Sequence, residues 1–69
     1  MSQVLILQAA FDRGESLTVA DALTRYGIYA LSQRVGELIR GGYPVEGQMI
    51  ELPSGKRVKR YERLKVAYG

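Results

Sequence analysis

The sequence predicts a mainly α (α+β) fold in which three short helices are followed by a C-terminal β-hairpin. Apolar residues recur at helical spacing up to Pro44, and beyond it strand-forming residues flank a Pro- and Gly-containing turn. A chain of 69 residues buries only about 60% of its unfolded surface, which allows one small core. We therefore expect a single domain over residues 1–69, with helices at about residues 2–13, 18–26 and 29–40 and a hairpin at about residues 45–64.

The first helix is predicted from an apolar run between a serine and a glycine. Ser2 can serve as its N-cap, and Gly14 is a natural stop. The run "VLIL" taken alone would also suit a strand. The apolar positions of this segment are Val4, Leu5, Leu7, Ala9 and Phe11.

The second helix begins with an acidic variant of the capping box, in which Thr18 is followed three residues later by Asp21. Gly27 ends it. Only a few residues separate this stop from the next helix, and two short helices joined by a tight Gly-containing turn are typical of a helix-turn-helix. The predicted apolar stripe is Val19, Ala22 and Leu23.

The third helix has two distinct faces, since a period of 3.6 residues separates its apolar residues from its polar ones. The apolar set, which we expect to face the core, is Ile28, Leu31, Val35, Leu38 and Ile39. The opposite set, which faces water or a partner, includes Tyr29, Gln33, Gly36 and Arg40. Gly41 and Gly42 can supply a positive φ after the last turn, and Pro44 prevents continuation of the helix.

The hairpin is predicted from two strand-like segments, "VEGQMIEL" and "KRVKRYERL", joined through Pro53 and Gly55. Its second segment does not alternate cleanly, because Val58, Tyr61 and Leu64 are three residues apart. Such spacing indicates either a β-bulge or a stretch that is not strand.

Composition argues against an enzyme. The chain has no histidine and no cysteine, and its seven carboxylates are scattered singly, so the usual general base, thiolate nucleophile and metal ligands are missing. We expect no cofactor and no metal. The run "VLILQAA" is too short to span a bilayer and lacks the flanks of a signal peptide, so we expect a soluble, intracellular protein.

Charge is distributed unevenly along the chain. Residues 1–55 hold four basic and six acidic residues, a balance of −2, whereas residues 56–69 hold six basic residues and one acidic, a balance of +5; these sum to the net +3. Clustered lysine and arginine favour a polyanionic partner, because they release the counterions condensed on phosphates. The alternative is a solvated segment that only aids solubility.

Three helices followed by a basic hairpin form the layout of a winged helix-turn-helix, in which the third helix enters the DNA major groove and the hairpin reaches the backbone or minor groove. Residues 17–64, through "LTVADALTRYG", "RVGELIRGGYPV" and "PSGKRV", also resemble the compact winged helix-turn-helix domains of bacteriophage and prophage proteins. The chain departs from that pattern at Gly36 and Ile39. The resemblance implies sequence-directed binding of double-stranded DNA in the cytoplasm of a bacterial host, with a role as transcriptional regulator or recombination accessory factor.

The expected roles in DNA binding differ between helix and hairpin. Gln33 and Arg40 can bond base edges or phosphates, Ser32 can meet a phosphate, and Gly36 would permit close approach of the DNA. Tyr29 can brace a phosphate or pack against the core. For Arg34 we expect only an ion pair with Glu37. The basic hairpin candidates for the backbone or minor groove are Lys56, Arg57, Lys59 and Arg60.

Two further expectations concern partners. One domain of this size offers a small footprint, so we expect a homodimer or cooperative assembly on DNA. The rival interpretation is a protein-interaction module that uses the same scaffold to bind a host or phage protein, since folds are reused for different functions. An apolar patch of Tyr43, Met49 and Tyr68 is the feature that favours it.

Overall fold

The computed structural model describes residues 2–64 and contains five elements. These are helix α1 Gln3–Asp12, helix α2 Val19–Tyr26, helix α3 Leu31–Arg40, strand β1 Val45–Glu51 and strand β2 Arg57–Arg63. The two strands form an antiparallel hairpin, here called the wing together with its connecting turn. The predicted fold class is confirmed: three helices precede a two-stranded hairpin.

The helix ends follow from local chemistry. At the start of α2 the Thr18 side chain accepts a hydrogen bond from the Asp21 N–H, and the Asp21 carboxylate accepts one from the Thr18 N–H, which completes the predicted capping box. Gly27 ends α2 in the left-handed conformation with φ 68°. After α3 it is Gly42, with φ 93°, that takes the positive φ, whereas Gly41 remains at −82°.

The wing is a regular ladder without the bulge that the spacing of Val58 and Tyr61 suggested. Each residue from Val45 to Glu51 pairs with one residue of β2. The turn is closed by the Gly55 N–H, which donates to the Leu52 carbonyl at 2.8 Å, and Gly55 itself has φ +87°. This matches a three-residue hairpin loop with glycine at its left-handed position. The three-residue spacing arises because Val58 and Tyr61 lie on opposite faces of one continuous strand.

A single residue between the first two helices ties the wing to the rest of the fold. Leu17 and Tyr61 exchange both backbone hydrogen bonds at 2.8 Å, so Leu17 extends the ladder as an isolated bridge on the outer edge of β2. The wing is therefore anchored to the residue that directly precedes the N-cap of α2. This anchor helps to fix the orientation of the wing relative to the helix-turn-helix.

The core is small and lies among the three helices, the Leu17 bridge and the base of the wing. Its buried members are Leu7, Ala10, Phe11, Leu17, Ala22, Ile28, Leu31, Val35, Leu38 and Tyr61. Three residues predicted to face it do not: Val19 is 49% exposed, Leu23 41% and Ile39 51%. A short helix packed on one side buries only a narrow stripe, and these three side chains lie outside it.

Tyr43, which follows α3, packs on the core from the edge. Its ring centroid is 6.5 Å from that of Phe11, and its hydroxyl donates to Asp12 Oδ1 at 2.6 Å. Burial, together with this hydrogen bond, raises the pKa of Tyr43 to about 12. The Arg63 guanidinium lies 5.7 Å from the ring centroid, so the end of β2 also contributes to the contact.

Within residues 2–64, no helix is long and apolar enough to cross a membrane. In the same part of the chain, no group of three or more acidic side chains is placed to hold a metal ion.

Candidate nucleic-acid interface

One side of α3 carries polar or small residues and is open to solvent. Ser32, Gln33 and Arg40 are exposed, and Gly36 lies between them on the same helix face. Tyr29, just before the helix, is 79% exposed, which excludes the alternative that it packs against the core. Ala30 occupies the N-cap and has no side-chain acceptor, unlike Thr18 at the start of α2.

The guanidinium of Arg40 lies back along the helix over Gly36. Among the described residues, a Cβ added at Gly36 would meet only Arg40 Nη1, at an ordinary contact distance of 3.6 Å. The folded chain therefore has room for alanine at this position, although glycine inside a helix costs about 1 kcal/mol relative to alanine. Nothing in the packing of residues 2–64 explains the glycine.

Arg34 has a different environment from the outward face. Its Nη1 donates to Glu37 Oε1 at 2.7 Å, so the predicted ion pair is confirmed. Its Nε is buried and has no hydrogen-bond partner among residues 2–64. Arg34 is thus held at the flank of α3, between the core stripe and the open face.

The wing reaches α3 through Tyr61. The Tyr61 hydroxyl and Ser32 Oγ are 3.0 Å apart, at hydrogen-bond distance. The Lys59 ammonium lies over the same ring, 5.5 Å from its centroid. Ser32, Tyr61 and Lys59 therefore form a connected group that joins the first turn of α3 to the cationic strand of the wing.

Gly47 makes room for this group, although the sequence analysis assigns it no role. In the ladder it pairs with Tyr61, and an added Cβ would lie 2.5 Å from Lys59 Cε and 3.2 Å from Tyr61 Cε1. The side chains of Lys59 and Tyr61 pass across the strand where Gly47 has none. A glycine directly opposite an aromatic residue is a recurring pair in β-sheets. It can be recognised in the sequence only when the register of the hairpin is known.

The four basic candidates of the wing do not share one face. Arg57 and Lys59 lie on the Tyr61 side of the ladder, because they are separated from it by even numbers of residues. Arg60 lies on the opposite side, and Lys56 belongs to the turn. Arg57 pairs in the register with Glu51, a residue of opposite charge. The structure thus brings Lys59 to the α3 side and separates Arg60 from it.

Of the apolar patch proposed for protein binding, Tyr43 and Met49 lie within the described residues. Tyr43 is half-buried against Phe11 instead of lying free on the surface. Met49 is 55% exposed, but it stands on the wing. Tyr68 and the rest of "KVAYG" lie outside the described residues.

The three helices form the core, a short turn joins α2 to α3, and the hairpin is hydrogen-bonded to the residue before the N-cap of α2. These features define a winged helix-turn-helix protein. Comparison with protein families agrees, since the model described as "Winged helix-turn-helix domain" matches residues 2–63. The chain belongs to this family. Comparisons with curated proteins and with solved structures find no match.

Proposed function

We propose that the protein binds double-stranded DNA in a sequence-directed manner, with the outward face of α3 in the major groove and the wing on the backbone. Family membership supports DNA as the partner. The observation that carries the proposal is the group Ser32–Tyr61–Lys59, which joins the polar face of α3 to the cationic side of the wing. A duplex could contact both at once.

The two parts have different roles in this proposal. Gln33 and Arg40 have the donors and acceptors needed to read base edges. Tyr29 and Ser32 at the start of α3 hold phosphates, and Gly36 lets the duplex approach the helix closely. Lys56, Arg57 and Lys59 contact the backbone without selecting sequence. Arg60, on the opposite face of the wing, adds only long-range attraction.

The biological role that fits is a transcriptional regulator or recombination accessory factor of a phage or prophage, acting in the bacterial cytoplasm. A single domain over residues 1–69 presents a small footprint, since modules of this size bury roughly 600–1,000 Å² on DNA. Tight specific binding therefore requires two copies, either as a homodimer or by cooperative binding. Sedimentation of the complex at saturating DNA should show two protomers per site; one protomer would contradict this part of the proposal.

The proposal is tested by selection from a library of random duplexes with the purified full chain. We expect recovery of a common short motif, and a selected duplex should bind more tightly than a shuffled one of equal composition. Failure to recover any motif, with equal binding of all duplexes at every salt concentration, would contradict sequence-directed binding.

Exposed Val19 and Leu52 favour a second role, the binding of a protein partner, on a surface away from α3.

A further inference from the structure

A groove separates the start of α2 from the side of the wing that faces away from Tyr61. It has a volume of about 740 Å³. One wall is the first turn of α2 with the residues before it, and the other is formed by the tip of the wing and the middle of the ladder. The residues used below are Val19, Ile50, Leu52, Val58, Lys56 and Arg60, all of which line it.

The floor of the groove is apolar. Ile50 and Val58 are direct cross-strand partners on this face of the ladder and are half-buried. Val19 is 49% exposed and Leu52 36% exposed, and neither belongs to the core. One turn beyond Val19, Leu23 is also 41% exposed. A groove lined by exposed apolar side chains offers a place for the apolar side chains of another protein.

The groove walls carry an excess of positive charge. Lys56, Lys59, Arg60 and Arg25 line it, against the single carboxylate of Asp21, and the Lys59 ammonium lies over the Tyr61 ring. Asp21 is already occupied as a cap of α2, and Arg25 lies 3.4 Å from Glu15. Lys56 and Arg60 therefore remain as the main charges above the apolar floor.

We propose that this groove is a docking site for a partner protein, which inserts a segment that combines apolar side chains with flanking carboxylates. The apolar side chains would cover Val19, Ile50 and Val58, and the carboxylates would pair with Lys56 and Arg60. Charge complementarity argues for an acidic segment, because a neutral apolar peptide would leave the two cations partly desolvated and unpaired.

A second copy of the chain is a poorer occupant. Four of the seven carboxylates already bond within their own chain, namely Asp12, Glu15, Asp21 and Glu37. The other three, Glu46, Glu51 and Glu62, stand on the strands of the wing itself. Each of them could reach the groove of a second copy only as part of the paired wing, not on an extended segment. The occupant is therefore a different protein.

The groove and the proposed DNA face lie on opposite sides of the wing. Lys59 lines the groove, but its ammonium lies over the Tyr61 ring on the other side, whereas Arg60 and Val58 belong to the groove side. A partner in the groove leaves the outward face of α3 open. The protein would then act as an adaptor that brings an acidic partner to DNA, but the groove would remain a docking site even if DNA binding failed.

A display library of random peptides of about 12 residues, selected against the intact chain, tests the proposal. We expect enrichment of sequences that contain both apolar residues and carboxylates. A synthetic peptide of that type should bind Arg60→Glu and Val19→Ser at least about tenfold more weakly than the wild type, and Gln33→Ala with unchanged affinity. Circular dichroism and the thermal midpoint of each variant establish that it is folded, and Lys56→Glu provides a second charge reversal in the turn.

Four outcomes would overturn the proposal. One is the absence of enriched peptides, and another is enrichment of peptides without carboxylates. A third is binding that both groove variants leave intact. The fourth is a different occupant: duplex DNA that competes with the peptide and is bound less tightly by Val19→Ser, or a dimer in sedimentation that Arg60→Glu dissociates.

Discussion

Gly36 is the residue on the outward face of α3 for which packing within the chain gives no reason. Its Cβ position meets only Arg40 Nη1 at 3.6 Å among the described residues. We expect Gly36→Ala to stabilise the fold by about 1 kcal/mol, because it removes the helical cost of glycine. This corresponds to a rise in Tm of roughly 4–8 °C. DNA affinity should nevertheless fall by about tenfold, because the added methyl blocks close approach of the duplex.

Thermal denaturation and fluorescence-anisotropy titration of the same preparation measure both effects. Gly41→Ala is the matched control, since Gly41 also has a negative φ and only ordinary contacts at 3.5 Å around an added Cβ. Unchanged DNA affinity in Gly36→Ala would show that no partner approaches this part of α3.

Substitutions at Gly47 and at Lys59 should weaken DNA binding through one mechanism. An alanine at Gly47 would displace the Lys59 side chain, whose Cε lies 2.5 Å from the added Cβ. Folding stability should change little, because the gain from replacing glycine in a strand offsets the adjustment of Lys59 and Tyr61. We expect Gly47→Ala to weaken DNA binding as much as Lys59→Ala does, with a salt slope lower by up to about 1.

A double-mutant cycle separates this mechanism from two independent effects. Once Lys59 is alanine, the further change Gly47→Ala should cost no more affinity. Anisotropy titrations of the wild type, the two single variants and the double variant give all four affinities. Additive losses would contradict the positioning of Lys59 by Gly47.

Tyr43 gives the fold a dependence on alkaline pH. Burial and the hydrogen bond to Asp12 raise the pKa of Tyr43 from 10.0 to about 12, so between these values the folded state holds the proton more tightly than the unfolded chain. The contribution of Tyr43 to stability is therefore complete below pH 10 and is lost as the pH rises toward 12. We expect the free energy of unfolding of the wild type to exceed that of Tyr43→Phe by about 1 kcal/mol at pH 7 and by less at pH 11.

Urea denaturation of both proteins at each pH measures this difference, because the two chains are otherwise identical. A difference that stays constant from pH 7 to pH 12 would contradict the account of Tyr43.

At the scale of elements, the wing contains a like-charge pair. Glu46 and Glu62 are direct partners in the register, and both are half-buried. Like charges directly opposite each other destabilise an antiparallel pair, whereas opposite charges contribute roughly 0.2–1 kcal/mol. We expect Glu46→Lys to raise the free energy of unfolding by about this amount, and Glu46→Gln, the control, to give a smaller gain.

Thermal denaturation without DNA, at low salt and at about 1 M salt, checks the electrostatic origin, because salt screens the charges. A Glu46→Lys protein that is no more stable than the wild type at low salt would contradict the assigned register.

The element scale also shows which features the sequence could predict. The capping box at Thr18 and the left-handed Gly27 depend on local chemistry, and both were readable from residues alone. The exposure of Val19 and Ile39 depends on where neighbouring elements stand, so helical periodicity could not place them correctly. The bulge suggested near Val58 is absent for a similar reason: Tyr61 is buried in the core and pairs with Leu17, a residue far away in sequence.

At the scale of the whole molecule, the sequence predicted the polar face of α3 and the cationic wing but not the contact between them. The hydrogen bond between Tyr61 and Ser32 joins residues 29 positions apart. Gly47 matters only because the register places it opposite Tyr61. Tertiary contacts of this kind leave no periodic signal in one chain, so they appeared only in the structure.

The central claim for the whole molecule is that α3 selects the DNA sequence, whereas the wing contacts the DNA backbone. It is tested most directly by anisotropy titrations on a selected and a shuffled duplex over a series of salt concentrations. Gln33→Ala and the pair Lys56→Ala with Arg57→Ala are compared with the wild type. We predict that the wing variant loses affinity equally on both duplexes and that its salt slope falls by about 2. Gln33→Ala should reduce the difference in affinity between the selected and the shuffled duplex and leave the salt slope unchanged. Equal losses on both duplexes from both variants, or binding that does not depend on salt, would contradict the claim.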